Sequence, residues 1–91
     1  MGDGNPISIP IEGELDLHSF EPSDVASVVE EYIHAACRSG FQTVRIVHGR
    51  GRGVQRGIVQ NTLEQHPRVE EFWDDTGSHL GATIARLQRV V

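Results

Sequence analysis

The 91-residue sequence contains no lysine, and its one cysteine excludes an intrachain disulfide. No apolar segment approaches the roughly 20 residues that cross a membrane, and the N-terminus lacks the basic and apolar regions of a secretory signal peptide. A nucleotide-binding P-loop is excluded because that motif requires a lysine. These absences predict a cytoplasmic protein that does not associate with membranes and that depends on packing for its stability. We also expect it to be a monomer.

Charge is distributed very unevenly along the chain. The net charge is −5, yet the 32 residues from Tyr32 to Leu63 contain no acidic residue and five of the eight arginines. Arginine presents a planar fork of donors that suits bidentate contacts with phosphate or carboxylate groups. The basic segment is therefore compatible with a nucleic-acid partner in spite of the net charge, and a genome that favours arginine codons is the simpler explanation of the missing lysine. Its arginines are Arg38, Arg45, Arg50, Arg52 and Arg56.

Hydrophobic periodicity predicts six elements after an N-terminal tail and edge segment over residues 1–10. Residues 14–18, 43–47, 69–73 and 82–87 are typical of strands, and apolar residues recur at helical spacing from Pro22 to just before Gly40 and from Val54 to just before Pro67. We expect Cys37 to be buried, His34 and His66 to lie on the surface, and at most one of Phe72 and Trp73 to lie in the core.

The order β-α-β-α-β-β predicts one α/β domain over residues 11–91, a two-layer sandwich with a mixed four-stranded sheet. A right-handed crossover would make the first two strands adjacent and parallel. In such a unit, ligands bind beyond the carboxyl ends of the strands. This edge would bring together Asp16 and His18, His48, the glycine-rich segment 49–53 and the N-terminus of the second helix.

The residue types at this edge suit a phosphodiester. Histidine serves as a general acid or base near neutral pH, and Asp16 could either orient an imidazole or bind a divalent metal. Glycine lets the backbone approach an anion, and the free N–H groups of a helix N-terminus carry partial positive charge. Two simpler interpretations stay open, in which the glycine segment is only a tight turn and Asp16 and His18 are only exposed strand residues.

Three sequence segments together resemble the Smr (small MutS-related) domain family. They are Leu15-Asp16-Leu17-His18, Val44-Arg45-Ile46-Val47-His48-Gly49-Arg50-Gly51 and Gly81-Ala82-Thr83, in the family's order and spacing. The resemblance covers residues 11 to 87, and it is to a stand-alone bacterial Smr protein related to the C-terminal domain of MutS2. The sequence differs from the family pattern at Ser19 and at Ser78-His79.

The resemblance implies a fold similar to the C-terminal domain of translation initiation factor 3. It also implies binding of DNA or RNA and a nicking endonuclease activity, with a non-catalytic nucleic-acid-binding module as the alternative. The expected catalytic residues are Asp16, His18 and His48. The expected phosphate-binding residues are Gly49, Arg50, Gly51, Arg52, Gly53 and Arg56. The metal requirement stays open, with Mg²⁺ or Mn²⁺ as the candidates.

Overall fold

The structure is a computed structural model that describes residues 13–49, 53–77 and 81–88. Its elements follow the predicted order: β1 (Glu14–Asp16), α1 (Pro22–Arg38), β2 (Thr43–Val47), α2 (Val54–Gln65), β3 (Val69–Asp74) and β4 (Ala82–Leu87). Neither helix is long and apolar enough to cross a membrane. The predicted edge segment over residues 1–10 lies outside the described residues.

The four strands form one mixed sheet in the order β1-β2-β4-β3. β1 pairs with β2 in parallel, as predicted, and β4 pairs antiparallel with both β2 and β3. β1 is two residues shorter than predicted because the chain turns directly after Leu17, whose N–H still donates to the Val47 carbonyl at 2.9 Å. In this turn the Phe20 N–H donates to the Leu17 carbonyl at 3.0 Å, and the Asp16 carboxylate accepts from the His18 N–H at 3.0 Å.

Helix α1 begins and ends where its sequence signals predict. Pro22 occupies the first turn, where its missing N–H has no intrahelical acceptor, and Asp24 places negative charge near the positive end of the helix dipole. Arg38 lies in the last turn. Gly40 then takes a φ of +89°, a left-handed conformation that glycine adopts without steric penalty.

Both helices pack on one face of the sheet, which gives the predicted two-layer sandwich. Leu17, Val44, Ile46, Ala85 and Leu87 line that face and are buried against apolar side chains of α1 and α2. The helix side chains in this core include Val25, Val29, Ile33, Cys37, Val59 and Leu63, so the predicted burial of Cys37 is confirmed. Truncating a fully buried residue such as Leu17 to alanine removes about 2–5 kcal/mol of stability.

The opposite face of the sheet carries charged and aromatic side chains. Arg45 of β2 donates to Glu14 at 3.1 Å and to Asp75 at 3.0 Å, so one guanidinium links β1 to the residue that follows β3. Trp73 is 43% exposed on this face, whereas Phe72 points toward the helices and packs against the core. The prediction that at most one of these two aromatic residues lies in the core is confirmed.

The prediction that His66 lies on the surface is wrong, whereas His34 is exposed as expected. His66 follows the last turn of α2 and is buried, with its Nδ1 accepting a hydrogen bond from the Arg68 backbone N–H at 3.1 Å. Its ring meets the His34 ring edge-on with the two centroids 5.4 Å apart. Burial lowers the pKa of His66, and the nearby His34 and Arg68 lower it further against an opposing contribution from Glu30.

We expect His66 to make stability depend on pH. The folded protein resists protonation of His66, so the unfolded chain takes up a proton first as the pH falls below 6.5. The contribution of His66 to stability is therefore complete above that pH and declines below it. In His66→Asn the side-chain oxygen replaces Nδ1 as an acceptor but does not titrate. Urea unfolding between pH 7.5 and 5 should give a flatter curve for the variant; two parallel curves would contradict this expectation.

Candidate functional site

One edge of the sheet gathers the predicted site residues. In the β1–β2 register Asp16 lies opposite Val47, and in the β2–β4 register Val47 lies opposite Ala82. The backbone N–H groups of His48 and Gly49 both donate to the Gly81 carbonyl, each at 3.1 Å. The ends of β1 and β2 and the start of β4 therefore meet at this edge, which we call the rim.

Asp16 and His18 form a hydrogen-bonded pair at the rim. The Asp16 Oδ1 atom lies 2.9 Å from His18 Nδ1 and 3.0 Å from the His18 backbone nitrogen. A carboxylate only accepts, so Nδ1 carries a proton in this contact, and in the neutral ring Nε2 has the lone pair. The His18 side chain is 80% exposed, so a bound substrate can reach Nε2. Leu17 between them is fully buried and fixes the turn on the core.

The same contacts keep Asp16 ionised at neutral pH. The hydrogen bond from the His18 backbone N–H lowers the pKa of Asp16, and the bond from the His18 ring lowers it further. An ionised Asp16 holds the imidazole in one orientation through the bond to Nδ1. The pair thus has the arrangement of a base and the group that orients it.

The start of α2 contacts the turn that follows this pair. Gly53 is the N-cap with a φ of +82°, no side chain caps the helix, and its first turn contains no acidic residue. Gln55 in that first turn donates a hydrogen bond from Nε2 to the Phe20 carbonyl at 3.0 Å. Because Phe20 closes the turn that follows β1, this bond ties the start of α2 to the segment that carries Asp16 and His18.

His48 differs from His18 because it is buried, with both ring nitrogens in hydrogen bonds. Its Nδ1 lies 3.0 Å from the Gly49 carbonyl oxygen, and its Nε2 lies 2.9 Å from Thr83 Oγ1. Gln60 on α2 donates from Nε2 to the same Thr83 oxygen at 3.0 Å and to Asp74 at 2.9 Å. The His48 ring therefore connects to α2 and β3 through side chains.

Two arginines of the basic segment are held by carboxylates. Arg56 donates from Nε and from a terminal nitrogen to the two oxygens of Asp74, at 3.0 and 2.7 Å. This bidentate contact raises the pKa of Arg56 and lowers that of Asp74, whose second hydrogen-bond donor is Gln60. Arg45 instead donates one hydrogen bond to Asp75 and one to Glu14, and both carboxylates raise its pKa. A phosphate would have to compete with Asp74 for Arg56.

The described residues thus place part of the predicted site. The structure locates Asp16, His18, His48, Gly49, Gly53 and Arg56 at or next to the rim. Arg50, Gly51 and Arg52, like the departures at Ser78 and His79, lie outside the described residues. Over residues 13–49, 53–77 and 81–88, no group of three or more His, Cys, Asp or Glu side chains could hold a metal ion.

Sequence reasoning missed Gln55, Gln60 and Asp74. Polar residues on a predicted helix are read as solvated, and Asp74 lay just beyond the predicted end of its strand. Thr83 was recognised only as part of a motif, and its hydrogen bonds were not predicted. The one available signal is that Gln60 lies four residues after Arg56, so both project from one face of α2.

Comparison with known proteins identifies the family of this chain. Residues 15–88 match the Smr domain family. The chain belongs to this family. It is 34% identical over 80 residues to endonuclease MutS2 of Caldicellulosiruptor saccharolyticus and 35% identical over 80 residues to endonuclease MutS2 of Shouchella clausii. Each alignment covers 86% of this chain and 10% of the relative, so the chain spans about a tenth of the length of these relatives.

A solved structure supports the same assignment. The crystal structure of the Smr domain of Thermus thermophilus MutS2 superposes with a TM-score of 0.76 at 28% sequence identity. The superposition covers 82% of this chain and 96% of the other. The predicted family and the predicted α/β architecture are therefore confirmed.

We expect the ion pair between Arg56 and Asp74 to stabilise the fold only while Asp74 is ionised. In Asp74→Asn the side chain keeps an acceptor but loses its charge. The folded-state pKa of Asp74 is below 3.8, so its contribution is present above that pH and is lost as the pH falls through the folded value. Urea unfolding should show the variant less stable than wild type at pH 7, with the difference disappearing toward pH 2.

Glu31→Gln is the matched control, because it removes one exposed negative charge from α1. Its difference from wild type should be smaller at pH 7, as is usual for isolated surface charges. An Asp74→Asn difference that persists unchanged in acid would show that packing, and not the ion pair, is responsible.

Proposed function

We propose that this Smr domain binds nucleic acid and hydrolyses a phosphodiester bond of the backbone, producing nicks. The observation that carries the proposal is the pair of Asp16 and His18, in which the carboxylate holds Nδ1 and leaves Nε2 exposed. The relatives support it, since the proteins that align with this chain carry the name endonuclease MutS2.

The proposed chemistry uses His18 as the general base. Nε2 accepts a proton from a water molecule, the water oxygen bonds to phosphorus, and the bond from phosphorus to one ester oxygen breaks. Asp16 stabilises the imidazolium that results, and the imidazolium can return the proton to the leaving oxygen. If the reaction requires Mg²⁺ or Mn²⁺, the Asp16 carboxylate is the group at the rim that would bind the ion, which would then polarise the phosphate.

The substrate phosphate is proposed to bind between this pair and the start of α2. The uncapped N-terminus of α2 offers backbone N–H groups with partial positive charge, and no acidic side chain in the first turn opposes an anion there. Gly49 and Gly53 flank the segment that carries Arg50 and Arg52, which would supply full charges. Because Gln55 joins α2 to the Phe20 turn, phosphate held at α2 would lie next to His18.

The alternative function is a binding module that uses the same rim without cleavage. The exposed pair has little shielding from water, and Ser19 follows it where the family has glycine. A single set of variants separates the two functions, because the pair and the basic residues contribute different properties.

We expect His18→Ala to abolish nicking and to leave nucleic-acid affinity nearly unchanged. Loss of a general base lowers the rate by about 10² to 10⁴-fold. Asp16→Asn should have a smaller effect, because an amide oxygen still accepts the two bonds from His18 but carries no charge. Supercoiled plasmid and structured RNA are incubated with each protein in Mg²⁺, Mn²⁺ or EDTA, and binding is measured separately by fluorescence anisotropy.

His34→Ala is the matched control, because it removes another exposed histidine that lies on α1 and not at the rim. It should nick at the wild-type rate. Binding by wild type without nicking under any condition would support the binding module, and nicking by His18→Ala at the wild-type rate would exclude His18 as the base.

We expect the slope of log affinity against log salt concentration to fall in magnitude by about one in Arg50→Ala and in Arg52→Ala. Each variant would lose one contact between arginine and phosphate. Arg56→Ala should change this slope less, since Asp74 already occupies its guanidinium. Arg38→Ala removes the same charge from the far end of α1 and serves as the control. Equal slopes for all four variants and wild type would place the binding surface elsewhere.

A further inference from the structure

For a neutral His48 ring, the surrounding hydrogen bonds allow one assignment of protons. A carbonyl oxygen only accepts, so the contact with the Gly49 oxygen requires a proton on His48 Nδ1. In the neutral ring Nε2 then has no proton and must accept, and Thr83 Oγ1 at 2.9 Å is the donor. The single proton of the Thr83 hydroxyl is then used in this bond, and its oxygen can still accept another.

Gln60 fixes the direction of that hydroxyl. Its Nε2 atom lies 2.9 Å from an oxygen of Asp74, which identifies Nε2 as the NH₂ group because an ionised carboxylate only accepts. The second proton of Gln60 Nε2 points to Thr83 Oγ1 at 3.0 Å. The Thr83 oxygen therefore accepts a hydrogen bond from Gln60, and its own hydroxyl proton is directed to His48.

The far end of this chain of bonds is held by charge. Arg56 binds both oxygens of Asp74, and Asp74 in turn orients Gln60. Asp74 lies opposite Thr83 in the β3–β4 register, so the strands bring the two side chains together. Arg56 and Gln60 come from adjacent turns of α2. Hydrogen bonds between these side chains thus link α2, β3 and β4.

We propose that His48 is a positioning residue, held as a neutral ring with its proton on Nδ1 by Thr83 and Gln60, and that it fixes the Gly49 carbonyl where the glycine segment leaves β2. The functional part of this inference rests on the proposed binding of phosphate by that segment. Gly49 has a φ of +90°, a conformation that glycine adopts without steric penalty, and the bond to His48 Nδ1 at 3.0 Å holds its carbonyl in one direction. This role replaces proton transfer by His48, whose ring is buried and whose nitrogens are both occupied.

The first test reads the protons of the His48 ring by ¹⁵N NMR, without nucleic acid. In wild type at pH 7.5, Nδ1 should show the shift of a protonated nitrogen and Nε2 that of an unprotonated one. Gln60→Glu replaces a donor to Thr83 with an acceptor of the same shape, so the Thr83 hydroxyl turns toward residue 60. His48 Nε2 then loses its donor and should become protonated.

Gln65→Glu is the matched control, because it makes the same change in an exposed residue of the last turn of α2. It should leave the His48 spectrum as in wild type. A wild-type ring protonated on Nε2, or a Gln60→Glu ring that is unchanged, would overturn the proposal.

The second test measures the effect on the glycine segment. Thr83→Val keeps the shape of the side chain and removes the hydroxyl, whereas Thr83→Ser restores the hydroxyl. We expect the backbone amide signals of Gly49 and Gly53 to shift in Thr83→Val and to return in Thr83→Ser. The Kd for a short duplex should rise about fivefold in Thr83→Val, which corresponds to one lost hydrogen bond, and should recover in the serine variant.

Failure of nucleic-acid binding and failure of the positioning role of His48 give different results. If wild type binds no nucleic acid, the proposed function fails while the ring spectrum still decides whether His48 is held as described. If wild type binds but Thr83→Val shifts neither the glycine signals nor the Kd, the positioning role is wrong and the proposed function stands. Thermal unfolding of each variant shows whether a change in Kd comes from global destabilisation, because such a variant would also have a lowered Tm.

Discussion

Three residues of parallel pairing, Glu14 to Asp16 against Arg45 to Val47, hold β1 in the sheet. The hydrogen bond from Leu17 N–H to the Val47 carbonyl, at 2.9 Å, extends this pairing by one step, and Leu17 is then buried in the core. These contacts bring the end of β1 to the level of the end of β2. Without them Asp16 and His18 would not share an edge with the glycine segment.

Most of the fold could be predicted because its signals are local. Pro22 and Gly40 bound α1, alternation defines β1, and β4 was predicted with its observed ends. The two-residue error in β1 has a local cause that alternation does not reveal, namely the turn directly after Leu17, in which the His18 N–H donates to the Asp16 side chain. The order of the third and fourth strands in the sheet has no comparable local signal, since it is decided by how β3 and β4 pair after chain reversal.

The candidate site could be predicted only in part, for the same reason. Motif spacing was enough to bring Asp16, His18 and His48 to one edge, because parallel strands end together. It could not distinguish an exposed histidine from a buried one. That distinction depends on Thr83, which reaches the His48 ring from β4, and on Gln60 from α2. Burial of His66 escaped prediction in the same way, because it results from the packing of α1 beside the end of α2.

The lengths and irregularities of the outer strands bear on how copies of this chain meet one another. Among the strands that the structure describes, β1 and β3 are outermost, and their unpaired backbone groups could in principle template a strand from a second molecule. β1 offers only three residues, and β3 has a shift in register between Val69 and Glu71. A partner strand would therefore find few consecutive hydrogen bonds at β1, and an irregular start at β3. The same short β1 that brings Asp16 to the rim thus leaves little edge for a strand of a second molecule to pair with.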